Sequence, residues 1–159
     1  MNIICFHNPD EENGYLSNWY LVDFIIDGVT YTSVEQYMMY IKAMTFNDLD
    51  IANKIMSTSD VKVIKSLGRS VFNYNDTIWS DIRTRVVYDA LLAKFSQNDD
   101  LRKLLLDTGD SILVECAVKD TIWGIGLSMN NPNRYDKSKW KGKNLLGKAL
   151  MKVRGKLRK

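Results

Sequence analysis

Apolar and polar positions follow two periods along this chain, and the switches between them mark out its elements. "IICF" is a short apolar run that predicts a first strand over Ile3 to Phe6. In "DFIIDGVTYT", two β-prone runs, Phe24 to Ile26 and Val29 to Tyr31, flank Asp27 and Gly28. An Asp-Gly pair between such runs signals a two-residue hairpin. Ser33 then reads as an N-cap, and Gln36 three residues on completes a capping box, so a helix is expected from about Val34 to Thr45. Shorter helical pieces follow, Asp48 to Met56 and Asp60 to Ser66, each opening on a capping residue, with Gly68 as a helix stop. A longer helix is expected from Asp76 to Phe95, with Ile78, Ile82, Val86, Ala90 and Lys94 along one stripe. Another starts at Asn98 or Asp99 and ends near "DTGD". "SILVECAV" and "TIWGIG" read as strands. "NLLGKALMKVRGKL" puts Leu145, Leu146, Ala149, Leu150, Val153 and Leu157 on one helical stripe, with Lys and Arg opposite. The sum is an α+β chain: a mainly helical single domain with a small β-sheet.

Composition narrows the classes. A length of 159 residues suits one core, and 45% hydrophobic with 26% charged residues is an ordinary globular balance. No apolar run approaches the ~20 residues of a membrane span. "MNIICFHNPDEENG" lacks a basic segment followed by a long apolar one, so neither secretion nor membrane association is expected, and a cytoplasmic location is. Cys5 and Cys116 sit far apart in apolar runs and read as buried, reduced thiols. One His and two scattered Cys make no metal-ligand spacing, so no metal or other cofactor is expected. His7 reads as a surface or hydrogen-bond-satisfied residue. The net charge of +3 is mild, but ten Lys or Arg lie between Lys137 and Lys159 against one acid, Asp136. Such a run either attracts phosphate and nucleic acid or is simply a solvated helix face.

The chemistry that stands out lies in "TSVEQYMMYIKA". At 3.6 residues per turn, Glu35, Met38, Met39 and Lys42 share a helix face, with the two ionisable groups about 10 Å apart along the axis. Buried charges have partners or a task. Glu35 falls in the first turn, where the helix dipole favours a carboxylate. The opposite reading makes this the polar side of a surface helix, with Tyr37, Tyr40 and Ile41 buried, and periodicity leaves both open. Trp79 and Trp123 offer flat faces for a base, or are core aromatics. Gly124 and Gly126 beside Trp123 permit close approach of a ligand, or shape a strand end. "GIG" lacks the third Gly and the helix start of a dinucleotide fingerprint. Arg69, Arg83 and Arg85 are candidate phosphate clamps, and Arg83 and Arg85, two apart on a helix, diverge.

Six words occur in order: "YLSNWY", "DGVTYTSVEQYMMYIKA", "KSLGR", "LLAKFSQNDDLRKLLLDTGDSILVE", "KDTIWGIG" and "GKNLLGKALMKVR". Together, from about Phe6 to Arg154, they resemble the NADAR family, also called YbiA-like. The resemblance implies a compact α+β fold and N-glycosidase chemistry. Its implied substrates are ADP-ribosylated guanine, free or within DNA or RNA, or the phosphorylated ribosylamino-pyrimidines of riboflavin synthesis. A non-catalytic ADP-ribose reader is the alternative, and an ADP-ribosyltransferase toxin is an implied counterpart. Carried onto this sequence, the resemblance implies catalytic roles for Glu35, Asp120 and Lys42, and substrate contacts for Asn18, Trp123 and Asn144. Trp79, Gly124 and Arg69 join the binding set from their residue types. Gln36, where the family often has an aromatic or His, and Tyr88, where it often has Met, are departures that bear on the base pocket. A carboxylate would stabilise the positive charge on a ribose C1 as its C1–N bond breaks, while a second polar group activates water or assists the leaving base. Which of Glu35 and Asp120 does which stays open. So does the role of Lys42: an anion or hydroxyl ligand, or a Schiff-base amine.

Overall fold

A computed structural model of the protein describes residues 2–159. The chain forms two compact units, one from Leu21–Gln97 and one from the residues up to Tyr20 together with those from Asn98 onward.

β1 (Ile3–Phe6) belongs to the other unit; the unit of Leu21–Gln97 opens with the expected hairpin, in which β2 (Phe24–Ile26) and β3 (Val29–Tyr31) pair antiparallel, Ile26 opposite Val29. Asp27 at φ 52° and Gly28 at φ 80° make the two-residue turn, both in the left-handed region that this turn type demands. Helices α1 (Val34–Thr45), α2 (Leu49–Met56), α3 (Val61–Arg69) and α4 (Asp76–Gln97) follow. α1 is the hub, packing on α2, α3 and α4, and α4 also packs on β2. α1 is buried almost all round, through Val34, Glu35, Gln36, Tyr37, Met38, Met39 and Ala43. Its start explains the burial. The Ser33 hydroxyl accepts from the Gln36 N–H at 3.0 Å. The Gln36 side chain accepts from Thr32 N at 2.8 Å and donates to the carbonyls of Ile55 (3.1 Å) and Thr58 (2.9 Å). The expected capping box is thus shifted one residue back, and Gln36 ties the helix start to the end of α2. Gln36 is a frame residue, not a pocket liner.

Two expectations fail in this unit. Gly68 does not stop α3, which runs on to Arg69; a Cβ at Gly68 would collide with the Met39 side chain, so glycine is there to let α3 approach α1. The stripe of α4 holds only from Val86 onward. Ile78 is 49% exposed, while Trp79, Val87, Leu91 and Phe95 are buried with Val86, Ala90 and Lys94.

The other unit pairs β1 (Ile3–Phe6) parallel with β4 (Ile112–Glu115), Ile3 opposite Ile112. α5 (Asp99–Asp107) packs on α6 (Leu145–Leu157), and α6 covers β4. Cys5 and Cys116 are buried, free thiols in a cluster with Val114, Ile125 and Leu127. "TIWGIG" is not a strand. Its carbonyls instead serve the start of α6: Thr121 accepts from Lys143 N (2.8 Å), Gly124 from Asn144 N (3.2 Å), Ile122 from Leu145 N (3.1 Å) and Trp123 from Leu146 N (3.2 Å). A helix start leaves its first N–H groups without internal partners, and here a distant loop supplies them.

Candidate functional site

In the Leu21–Gln97 unit the structure brings Glu35, Lys42 and Arg69 into one electrostatic neighbourhood. Glu35 is 5% exposed in the first turn of α1, so the surface-helix alternative does not hold. Two turns on, Lys42 is half-buried, with its Nζ 4.6 Å from the centroid of the Tyr74 ring. Burial holds the Lys42 amine below the usual lysine range; Glu35 pulls it back up, Arg69 pushes it down and Asp76 pulls it up. Arg69 is exposed at the end of α3. Arg83 on α4 lies close enough to Tyr74 to favour its phenolate, and the Arg83 Nε is buried without a hydrogen-bond partner. Arg85 is turned away, ion-paired with Asp89 at 3.0 Å.

Trp79 does not serve this cluster as a stacking face. It is 5% exposed at the start of α4, and its ring is core. Among the described residues of this unit, the exposed aromatic groups are Phe72 and Tyr74, on the short connection between α3 and α4. Sequence reasoning passed over them. The signal was an aromatic pair, "VFNYN", in a polar loop where nothing in the apolar pattern required one.

In the second unit, Asp120, Trp123, Gly124 and Asn144 also come together, but as one structural device. Asp120 Oδ1 accepts from Ile122 N at 3.0 Å and Trp123 N at 2.8 Å, stapling the turn. Gly124 is packed so closely that a Cβ would sit 3.0 Å from both the Asp120 and Glu115 carbonyl oxygens. Asn144, 1% exposed at φ 54°, accepts from Glu115 N at 3.1 Å and donates to the Leu113 carbonyl at 3.0 Å. Its amide is spent holding β4 to α6. Of the binding residues expected here, Trp123 is partly exposed, and Asn18 has a buried Oδ1 without a hydrogen-bond partner. A buried acceptor left unpaired is a cost that a ligand donor would relieve. His7 is exposed, as expected. Of the basic run, Arg154 is buried and donates to Thr108 Oγ1 and the Ser111 carbonyl, each at 2.9 Å, and Arg158 pairs with Asp110; Lys137, Lys139, Lys141, Lys143, Lys148, Lys152 and Lys156 are exposed. Among the described residues no three His, Cys, Asp or Glu side chains gather as a metal site, and no helix is long and apolar enough to cross a membrane.

The cluster thus joins a buried carboxylate at a helix start to an amine held partly out of water, each within electrostatic reach of the other. The chain belongs to the NADAR family, whose domain pattern matches residues 5–158. It is 43% identical over 159 residues to an N-glycosidase of Acanthamoeba polyphaga mimivirus, covering 95% of this chain and 94% of that protein. It is 32% identical over 155 residues to the N-glycosidase YbiA of Escherichia coli, covering 98% and 88%. The NMR structure of that YbiA superposes with a TM-score of 0.81 over 99% of this chain and 85% of its own. A riboflavin biosynthesis protein of Vibrio vulnificus is 33% identical over 154 residues, 97% of this chain but only 38% of that protein. The N-glycosidase relatives are glycosyl hydrolases, and they place the chain in that class of enzyme.

Proposed function

We propose that the protein is an N-glycosidase that hydrolyses the C1–N bond of a ribosylated base, and that its substrate is ADP-ribosylated guanine, free or in nucleic acid. The observation that carries the chemistry is Glu35, a carboxylate buried in the first turn of α1 on the face it shares with half-buried Lys42. As the base departs with the bonding pair, positive charge grows on C1 and the ring oxygen. A carboxylate fixed in a low-dielectric site stabilises that charge more strongly than one in water. Water then adds its oxygen to C1, and its proton ends on the departing base. Lys42 is assigned to hold a phosphate or ribose hydroxyl, with Arg69 beside it as a second cation. Asp120 is not carried into this scheme, because its Oδ1 already accepts two backbone N–H groups.

The exposed lysines from Lys137 to Lys156 favour a polymeric substrate. A second reading, a phosphorylated ribosylamino-pyrimidine, draws on the riboflavin biosynthesis relative from Vibrio vulnificus. Incubating the protein with ADP-ribosylated guanosine and, separately, with the ribosylamines, and watching for released base or amine by mass spectrometry, decides between them. Glu35→Gln is expected to lower kcat by about 10²–10⁴ while ligand binding persists. A protein that binds ADP-ribose, releases no base and is unmoved by Glu35→Gln is a reader, and the hydrolase assignment fails.

A further inference from the structure

We propose that Tyr74 is a positioning residue for Lys42: its ring is the platform on which the ammonium group rests, and the loop that carries the ring is built to hold it still. The Lys42 Nζ lies 4.6 Å from the ring centroid, within cation–π range. The ring is braced by Phe46, whose centroid is 5.4 Å away at a 65° interplanar angle. The Tyr74 hydroxyl donates to Asp76 Oδ1 at 2.7 Å. The loop is anchored on both sides. Upstream, the Phe72 N–H donates to Asp48 Oδ2 at 2.8 Å, and the same carboxylate caps α2 through Ile51 N at 3.1 Å. Downstream, Asn75 Oδ1 accepts from Ile78 N at 3.1 Å. Asn73 turns the chain between them at φ 58°.

A lysine has four rotatable bonds in its stem, and fixing them is costly. A braced aromatic face meets that cost before any substrate arrives. The other charged groups acting on Lys42 are Glu35 from its own helix, Arg69 from α3 and Asp76 from α4. Tyr74 itself stays a neutral phenol, its ionisation pushed up to about 12 by partial burial and by Asp76.

The proposal rests on the N-glycosidase reading only for what Lys42 meets. The pairing itself is tested without substrate. In lysine-labelled protein, the Lys42 ε-methylene resonance should lie upfield of a free lysine's in the wild type and in Tyr74→Phe, and should return to the ordinary position in Tyr74→Leu. With a substrate that the wild type cleaves, Tyr74→Leu should raise KM by about tenfold with kcat little changed, and Tyr74→Phe should restore KM. Tyr74 is 43% exposed, so Leu is expected to fold, and Tyr74→Phe against the wild type decides the spectroscopic arm even if it does not. No upfield shift in the wild type, a shift that survives in Tyr74→Leu, or a Tyr74→Phe as impaired as Tyr74→Leu overturns the proposal. A wild type that shows the shift but cleaves no ribosylated base overturns the N-glycosidase reading instead.

Discussion

At the scale of single residues, two acids and an amide that look alike in the sequence have different tasks. Glu35 is buried in a helix start; Asp120 staples a turn; Asn144 joins a strand to a helix. Asp120→Asn keeps the Oδ1 acceptor, so kcat and KM should stay within a few-fold of wild type, the opposite of Glu35→Gln. An Asp120→Asn as inactive as Glu35→Gln would return Asp120 to the reaction. Asn144→Ala strands a partly buried N–H and a buried carbonyl and places alanine at a left-handed φ. Each stranded group costs about 1–3 kcal/mol, so the melting temperature should fall by roughly 10 °C, read by calorimetry. The sequence marks these residues as candidates; what it withholds is where their hydrogen bonds go. Asn144 is bonded to residues some 30 positions away, Leu113 and Glu115, and no local spacing announces that. Glu35 was legible for a physical reason: a helix cap and a dipole are local features.

At the scale of elements, the local rule explains the successes and failures together. The hairpin and α1 were readable because turn and cap residues lie within four positions of each other. "TIWGIG" looked like a strand because Ile and Trp are β-prone, yet its backbone bonds to a helix start instead of a ladder. Gly68 looked like a stop because its reason for being glycine, the Met39 side chain, is on another helix. Gly68→Ala should therefore destabilise the protein, against its better helix propensity, by about 1–3 kcal/mol in denaturant unfolding. α4 holds a fully buried Lys94, whose amine burial pushes down to about 7. The unfolded chain keeps that proton to about 10.5, so between these values it binds more protons than the folded chain, and stability rises with pH. Urea midpoints measured from pH 7 to 9 should climb in the wild type and stay flatter in Lys94→Met.

At the scale of the whole molecule, the basic segment is the property that composition exposed most directly, and the structure divides it. Arg154 and Arg158 bond back to the chain, whereas the lysines of the segment are exposed, from Lys137 to Lys159. If the substrate is a polymer, cleavage of ADP-ribosylated DNA should fall steeply between 50 and 200 mM salt, on the order of several-fold or more, while cleavage of the free nucleoside stays nearly flat. Equal salt responses would assign the lysines to solubility alone. The division into two units was not legible, because it depends on which distant strands pair. β1 finds its partner only at Ile112–Glu115. During synthesis, at about 5–20 residues per second, the "IICF" segment therefore waits several seconds as an unpaired apolar ribbon, while the intervening helices emerge and can already settle. The nascent chain is most exposed to self-association in that interval, and a ribosome stalled before Ile112 would display a sticky end that the finished protein conceals.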